Sequence, residues 1–113
     1  MSGAQMMMLG SGVAPMNLSL TYPLLVLASR TGSGTLTSPV QLATVTGGLP
    51  PYSYSWTYVS GSSFTINSPS SSSTTWTNFM VGVQDLTGTY RCTITDQQGI
   101  SIHTDFGVEL ISN

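Results

Sequence analysis

His103 and Asp105 are the residues from which a charge-relay set would be assembled, because the chain is rich in serine and holds a single histidine. Ser-His-Asp chemistry needs a base held between a nucleophile and an orienting carboxylate. Here the histidine and aspartate stand at i and i+2 of one alternating segment, and no G-x-S-x-G elbow presents a serine. Cys92 and His103 are the soft ligands available for zinc, and two of them fall short of a four-ligand site. The acids Asp85, Asp96, Asp105 and Glu109 are spread out, with Asp85 and Asp96 at opposite ends of one segment. Calcium takes roughly 6–8 oxygen ligands, usually from neighbouring carboxylates. Asp85 and Asp96 read instead as turn residues, Asp85 before its strand and Asp96 after it. Catalytic, cofactor and metal roles are therefore not expected.

The composition points elsewhere. Charged residues make up 5% of the 113, against roughly 25% in ordinary domains. Lysine is absent, and Arg30 and Arg91 are the fixed cations. With 34 serines and threonines, the polar surface must be built of hydroxyls. A net charge of −2 offers no basic footprint for nucleic acid. So few charges also give little protection against association, which suits a component of a larger assembly. The opening "MSGAQMMMLGSG" lacks a basic region and the long apolar run of a secretory signal, and "PLLVLA" is too short to span a membrane. "NLS" at Asn17 matches a glycosylation triplet, which carries little weight without a secretory signal.

The length suits one domain, and short apolar runs separated by Gly, Pro, Ser and Asn predict an all-β chain. Five of the six methionines lie in residues 1–16, an extended arm ahead of a domain over 17–113. In "NLSLTYPLLVLAS", Pro23 predicts an edge strand or two pieces that change sheets. "RTGSGTLTS" reads as a loop and "PVQLATVT" as the next strand. A cis bond is compatible with Pro50-Pro51. In "YSYSWTYV", period-two alternation puts Tyr52, Tyr54, Trp56 and Tyr58 on one face. "SFTIN" reads as a short strand and "SPSSSSTT" as a loop too polar to pack. In "TWTNFMVGV", Phe79, Val81 and Val83 share a face, with Trp76 out of phase, so that a bulge intervenes or Trp76 points outward. "GTYRCTIT" sends Tyr90, Cys92 and Ile94 inward. "ISIHTDFGVEL" alternates Ile100, Ile102, Phe106, Val108 and Leu110 with polar residues, a half-buried antiparallel strand.

About seven such strands at this spacing describe an immunoglobulin-like antiparallel β-sandwich. Trp56 in "YSYSW" resembles the core tryptophan of that family, and "DLTGTYRC" resembles its D-x-G-x-Y-x-C signature through Asp85, Gly88, Tyr90 and Cys92. Tyr90 lies two residues before the cysteine, as in a tyrosine corner. "TVTGGLPPYSYSW" is similar to PKD-like and bacterial Ig-like repeats. The resemblance covers about residues 37–111. It departs from the family where a second cysteine would be expected, near Ala43. Cys92 is left as a small core residue, and roughly 2–4 kcal/mol of cross-link stabilisation is forgone.

Small domains of this character resemble those on tailed-bacteriophage virions, as capsid-decoration or tail-associated proteins. The resemblance implies a non-enzymatic structural role, with other virion proteins as partners in a homo- or hetero-oligomeric assembly. Met6, Met7, Met8 and Leu9 would anchor the arm on the particle, since methionine adapts to irregular apolar grooves. The domain would be displayed for weak adhesion to host glycans. Trp76, Tyr52 and Tyr58 are the candidate surface-contact residues, or else caps on the ends of the core. The alternative is a carbohydrate- or protein-binding module of a secreted or cell-surface protein.

Overall fold

The computed structural model describes residues 13–113, and these form an all-β fold. The elements are β1 (Asn17–Leu20), β2 (Leu25–Arg30), β3 (Gly34–Thr37), β4 (Gln41–Thr46), β5 (Ser53–Gly61), β6 (Thr65–Ile66), β7 (Ser73–Thr74), β8 (Trp76–Met80), β9 (Gln84–Thr95) and β10 (Ser101–Ser112). A four-stranded sheet has the order β2-β10-β9-β5, and two three-stranded sheets run β1-β4-β7 and β3-β8-β6. All pairings are antiparallel except β2 on β10.

The long β9–β10 hairpin is the most regular part. Its alternation buries Tyr90, Cys92 and Ile94 on one strand and Phe106, Val108 and Leu110 on the other, as the sequence pattern predicts. Asp96 makes the turn: its carboxylate accepts the N–H groups of Gln98 (2.9 Å) and Ile100 (3.1 Å). Such side-chain-to-backbone bonds are why aspartate favours turns. Pro23 separates β1 from β2, which lie in different sheets. The crossover is held by Gln41, wholly buried, whose amide donates to the Tyr22 carbonyl (2.9 Å) and accepts from the Tyr22 N–H (2.7 Å). A buried amide this far from water needs both bonds. The Pro50–Pro51 bond is cis.

The core joins the sheets through aromatic rings. Trp76 on β8 meets Trp56 on β5 and Phe106 on β10 edge to face, with centroids 5.9 and 5.5 Å apart, and tilts against Tyr90 on β9 at 5.5 Å. Trp76 is 0% exposed, so it is a core residue and not the surface contact considered for it. Phe79, Val81 and Val83 take the opposite position to that expected of a shared inner face: they are 63%, 62% and 85% exposed. Met80 is the buried residue near the end of that strand. Burying Trp76 sets the parity of β8, and Phe79, three residues on, then turns outward.

Two segments read as loops are structured. "RTGSGTLTS" contains β3, which pairs with β8, and "SPSSSSTT" contains β7. The serine run packs because its backbone supplies acceptors: Trp56 donates its indole N–H to the Ser71 carbonyl (2.6 Å) and its backbone N–H to the Pro69 carbonyl (2.9 Å). Side-chain polarity alone did not forecast that. Asp85 is also corrected. It stands five residues before Tyr90, one more than the signature allows, and lies within β9 opposite Ile111. The preceding turn is bonded by Gln84, whose side chain accepts the Val81 N–H (2.8 Å).

Tyr90 departs from the corner role too. Its hydroxyl donates to the Ser62 carbonyl (3.0 Å) and accepts the Phe64 N–H (2.6 Å), which fixes the segment after β5. A Cβ on Gly88 would collide with that Ser62 carbonyl, so glycine is what lets the segment lie over β9.

Trp76→Ala should cost about 3–5 kcal/mol and Phe79→Ala within about 0.5 kcal/mol, measured by urea unfolding. A large loss at Phe79 would contradict the outward assignment.

Candidate functional site

The chemistry-bearing side chains are held apart or already engaged. Arg91 and Asp105 sit directly opposite on β9 and β10, and the guanidinium grips the carboxylate through two bonds of 2.7 and 3.0 Å. The bond from Arg91 holds the Asp105 carboxyl below its ordinary range, with neighbouring His103 adding in the same direction. His103 is exposed and pairs in register with Thr93. The carboxylate that would orient the histidine is thus claimed by an arginine. On the same solvent face, the neighbouring Asp85 carboxyl raises the Glu109 pKa. Among the described residues, no three His, Cys, Asp or Glu side chains come together as a metal-binding group would require.

Cys92 is buried opposite Trp56, and burial pushes its thiol up to about 11. The thiolate is the reactive form, so this cysteine is inert in the folded state. Ala43 is buried in the same core at the position where a second cysteine was expected, and Cys92 is unpaired.

The proposed contact residues do not form one patch. Tyr52, half-buried, donates its hydroxyl to the Gly47 carbonyl (2.6 Å). Tyr58 is exposed, donates to the Gly61 carbonyl (2.7 Å) and rests its ring against Tyr90. The two lie six residues apart along the strand direction, roughly 20 Å. Trp76 is in the core between the sheets. The anchor residues Met6, Met7, Met8 and Leu9 lie outside the described residues. The last residues assigned to the arm pack on the domain itself: the Ala14 carbonyl accepts the Gly48 N–H (2.7 Å), and Met16 packs against the core. Gly47 and Gly48 adopt positive φ there, and a Cβ on either would strike Pro15 or Met16. A cleft of about 370 Å³ opens beside this segment, lined by Val13, Pro15, Met16, Gly48, Ile100 and Ile102.

The exposed apolar side chains are what remains. Phe79, Val81 and Val83 surround a turn that is firmly held. The Gly82 N–H donates to the Ser33 hydroxyl (2.8 Å), and the Ser112 hydroxyl sits between the carbonyls of Gly32 and Gly82. A second set, Leu24, Leu25 and Leu27, lies on β2 and just before it. The sequence pattern put Phe79, Val81 and Val83 on a shared face without marking them as a contact surface, and it did not single out the leucines. "LLVLA" is apolar on both parities, so no alternation reveals its outer face.

Neither a protein-family model nor a curated protein matches the chain. Among solved structures it is similar to a nucleoside hydrolase-related hypothetical protein from Saccharophagus degradans that is associated with carbohydrate metabolism. The identity is 13% and the TM-score 0.52. The match covers 89% of this chain and 26% of that one. At that identity the likeness concerns the fold alone.

Cys92 makes the fold alkali-sensitive. Its folded pKa lies above the unfolded one, so its contribution is intact below the ordinary thiol range and is lost as pH rises toward about 11. Burial also raises the Tyr90 pKa, which acts in the same direction. Native protein should resist thiol reagents until unfolded, and Cys92→Ala should flatten the alkaline fall in the urea midpoint. Rapid labelling of native protein would refute this.

Proposed function

We propose that the chain is an immunoglobulin-like β-sandwich acting as a non-enzymatic structural protein of a bacteriophage virion, in a capsid-decoration or tail-associated position. In this reading β1 and β2 are the split first strand of the sandwich. Interrupted strands β3–β4 and β7–β8 belong to the layer opposite β2-β10-β9-β5. The observation that carries the functional reading is the pinned turn bearing Phe79, Val81 and Val83. Apolar groups held outward on an ordered turn favour contact with another macromolecule. The charge-poor surface, the Asp105 carboxylate taken by Arg91 and the burial of Cys92 support a contact role over a catalytic one. Met6, Met7, Met8 and Leu9 would add the anchor on capsid or tail subunits, and the domain would offer weak, multivalent adhesion to host glycans.

The second reading is a carbohydrate- or protein-binding module of a secreted or cell-surface protein. It is favoured by the structural likeness to about a quarter of a larger protein associated with carbohydrate metabolism.

Replacing Met6, Met7, Met8 and Leu9 together by serine should abolish incorporation into purified particles while leaving the urea midpoint unchanged. Full incorporation would sink the anchor. Titration against a glycan panel separates the second reading: tight monovalent binding lost in Tyr58→Ala would favour the module.

A further inference from the structure

Strand β2 is the outer strand of the four-stranded sheet. The carbonyls of Leu24 and Arg30 accept the N–H groups of Gly107 and Asn113, both at 2.9 Å. In a parallel ladder, alternate residues turn both backbone groups to the neighbour and the others turn both away. Val26 and Ala28 share the parity of Leu24 and Arg30, so Leu25, Leu27 and Ser29 present their N–H and C=O groups outward. Among the described residues, no other strand pairs with that edge. The opposite edge, β5, differs: its Trp56 N–H is taken by the Pro69 carbonyl of the serine segment.

Natural edges are usually blunted by charge, proline or a bulge. This one has none between Leu24 and Ser29. Leu24, Leu25 and Leu27 are 84%, 38% and 49% exposed. The nearest charge, Arg30, is folded back, its guanidinium donating to the carbonyls of Gly32 (3.1 Å) and Thr35 (2.9 Å). The Gln41 clamp on Tyr22 fixes the start of the strand, so the edge is preformed.

We propose that this edge pairs with β2 of a second copy of the chain, antiparallel, about a two-fold axis at Leu27. That register sets Leu27 opposite Leu27 and Leu25 opposite Ser29 of the second copy. Every outward backbone group between 25 and 29 then meets its complement, and the two sheets continue as one of eight strands. Leu25 and Leu27 of both copies lie on the same face and cover one another. No like charges are brought together. A second copy fits this edge because its outward groups fall at the required spacing and its side chains are equally uncharged. A strand carrying charge would find no counter-charge between Leu24 and Ser29. This pairing stands independently of any place on a particle.

Sedimentation equilibrium at rising concentration of the full chain should show a monomer passing to a dimer. Leu27→Lys opposes two ammonium groups at the axis and should weaken association by more than about tenfold, with an unchanged thermal midpoint at dilution, where both chains are monomers. Directly bonded antiparallel residues have Cα atoms about 5.5 Å apart, within disulfide reach. Mild oxidation should therefore link Leu27→Cys chains much faster than Leu42→Cys chains, whose cysteine is exposed on β4. A chain that stays monomeric throughout overturns the proposal. So does a dimer that Leu27→Lys leaves intact, or equal cross-linking at the two positions.

Discussion

The edge-to-face contact between Trp56 and Trp76 is the constraint on which the rest of the molecule turns. It joins β5 to β8, strands of different sheets, and Phe106 and Tyr90 close around it. Aromatic pairs of this geometry contribute about 0.5–1.5 kcal/mol each beyond the area they bury. Four rings joined through Trp76 lie beside Cys92, where a cross-link would otherwise be. The indole of Trp56 also organises the polar chain around it, since its N–H needs an acceptor once buried and the serine segment supplies one. Tyr90 does the same for residues 62–64. The core thus orders two connections that would have no reason to fold by themselves.

Fixing Trp76 inside has an outward consequence. Strand parity makes Phe79 a surface residue, and the turn after it carries Val81 and Val83 outward while Ser33, Gln84 and Ser112 hold its backbone. On the opposite side of the fold's logic, the buried amide of Gln41 directs the chain from one sheet to the other and leaves β2 as an outer strand. Both apolar surfaces therefore follow from buried polar or aromatic choices a few residues away. A domain with so few charges presents them in a setting where hydroxyls dominate. That is the character expected of a surface meant to be covered, and it underlies the contact role proposed above.

Much of the strand plan was legible in the residues. The hairpin of β9 and β10 followed from strict alternation and the turn from Asp96, while Pro23 left an edge strand and a sheet change both open. The inward set Tyr90, Cys92 and Ile94 was legible for the same reason: period two leaves no other arrangement once one face is apolar. The site was far less legible. Tyr52, Tyr58 and Trp76 are aromatic residues near one another in the expected order of strands, yet one is half-buried, one a partly exposed shelf and one the centre of the core. Residue type sets how much area can be buried, and leaves open where.

What the sequence determined by itself is local: strand period, turn chemistry, lack of charge and the lone thiol. What tertiary structure alone decided is which face of β8 lies inside, what the serine segment bonds to, and which edge is left open. Phe79 and Trp76 are both large, apolar and three residues apart, so either could have filled the core. The choice fell to Trp76 because its ring meets Trp56, Tyr90 and Phe106 from three other strands. Those contacts are distant in sequence, and no pattern within one strand contains them.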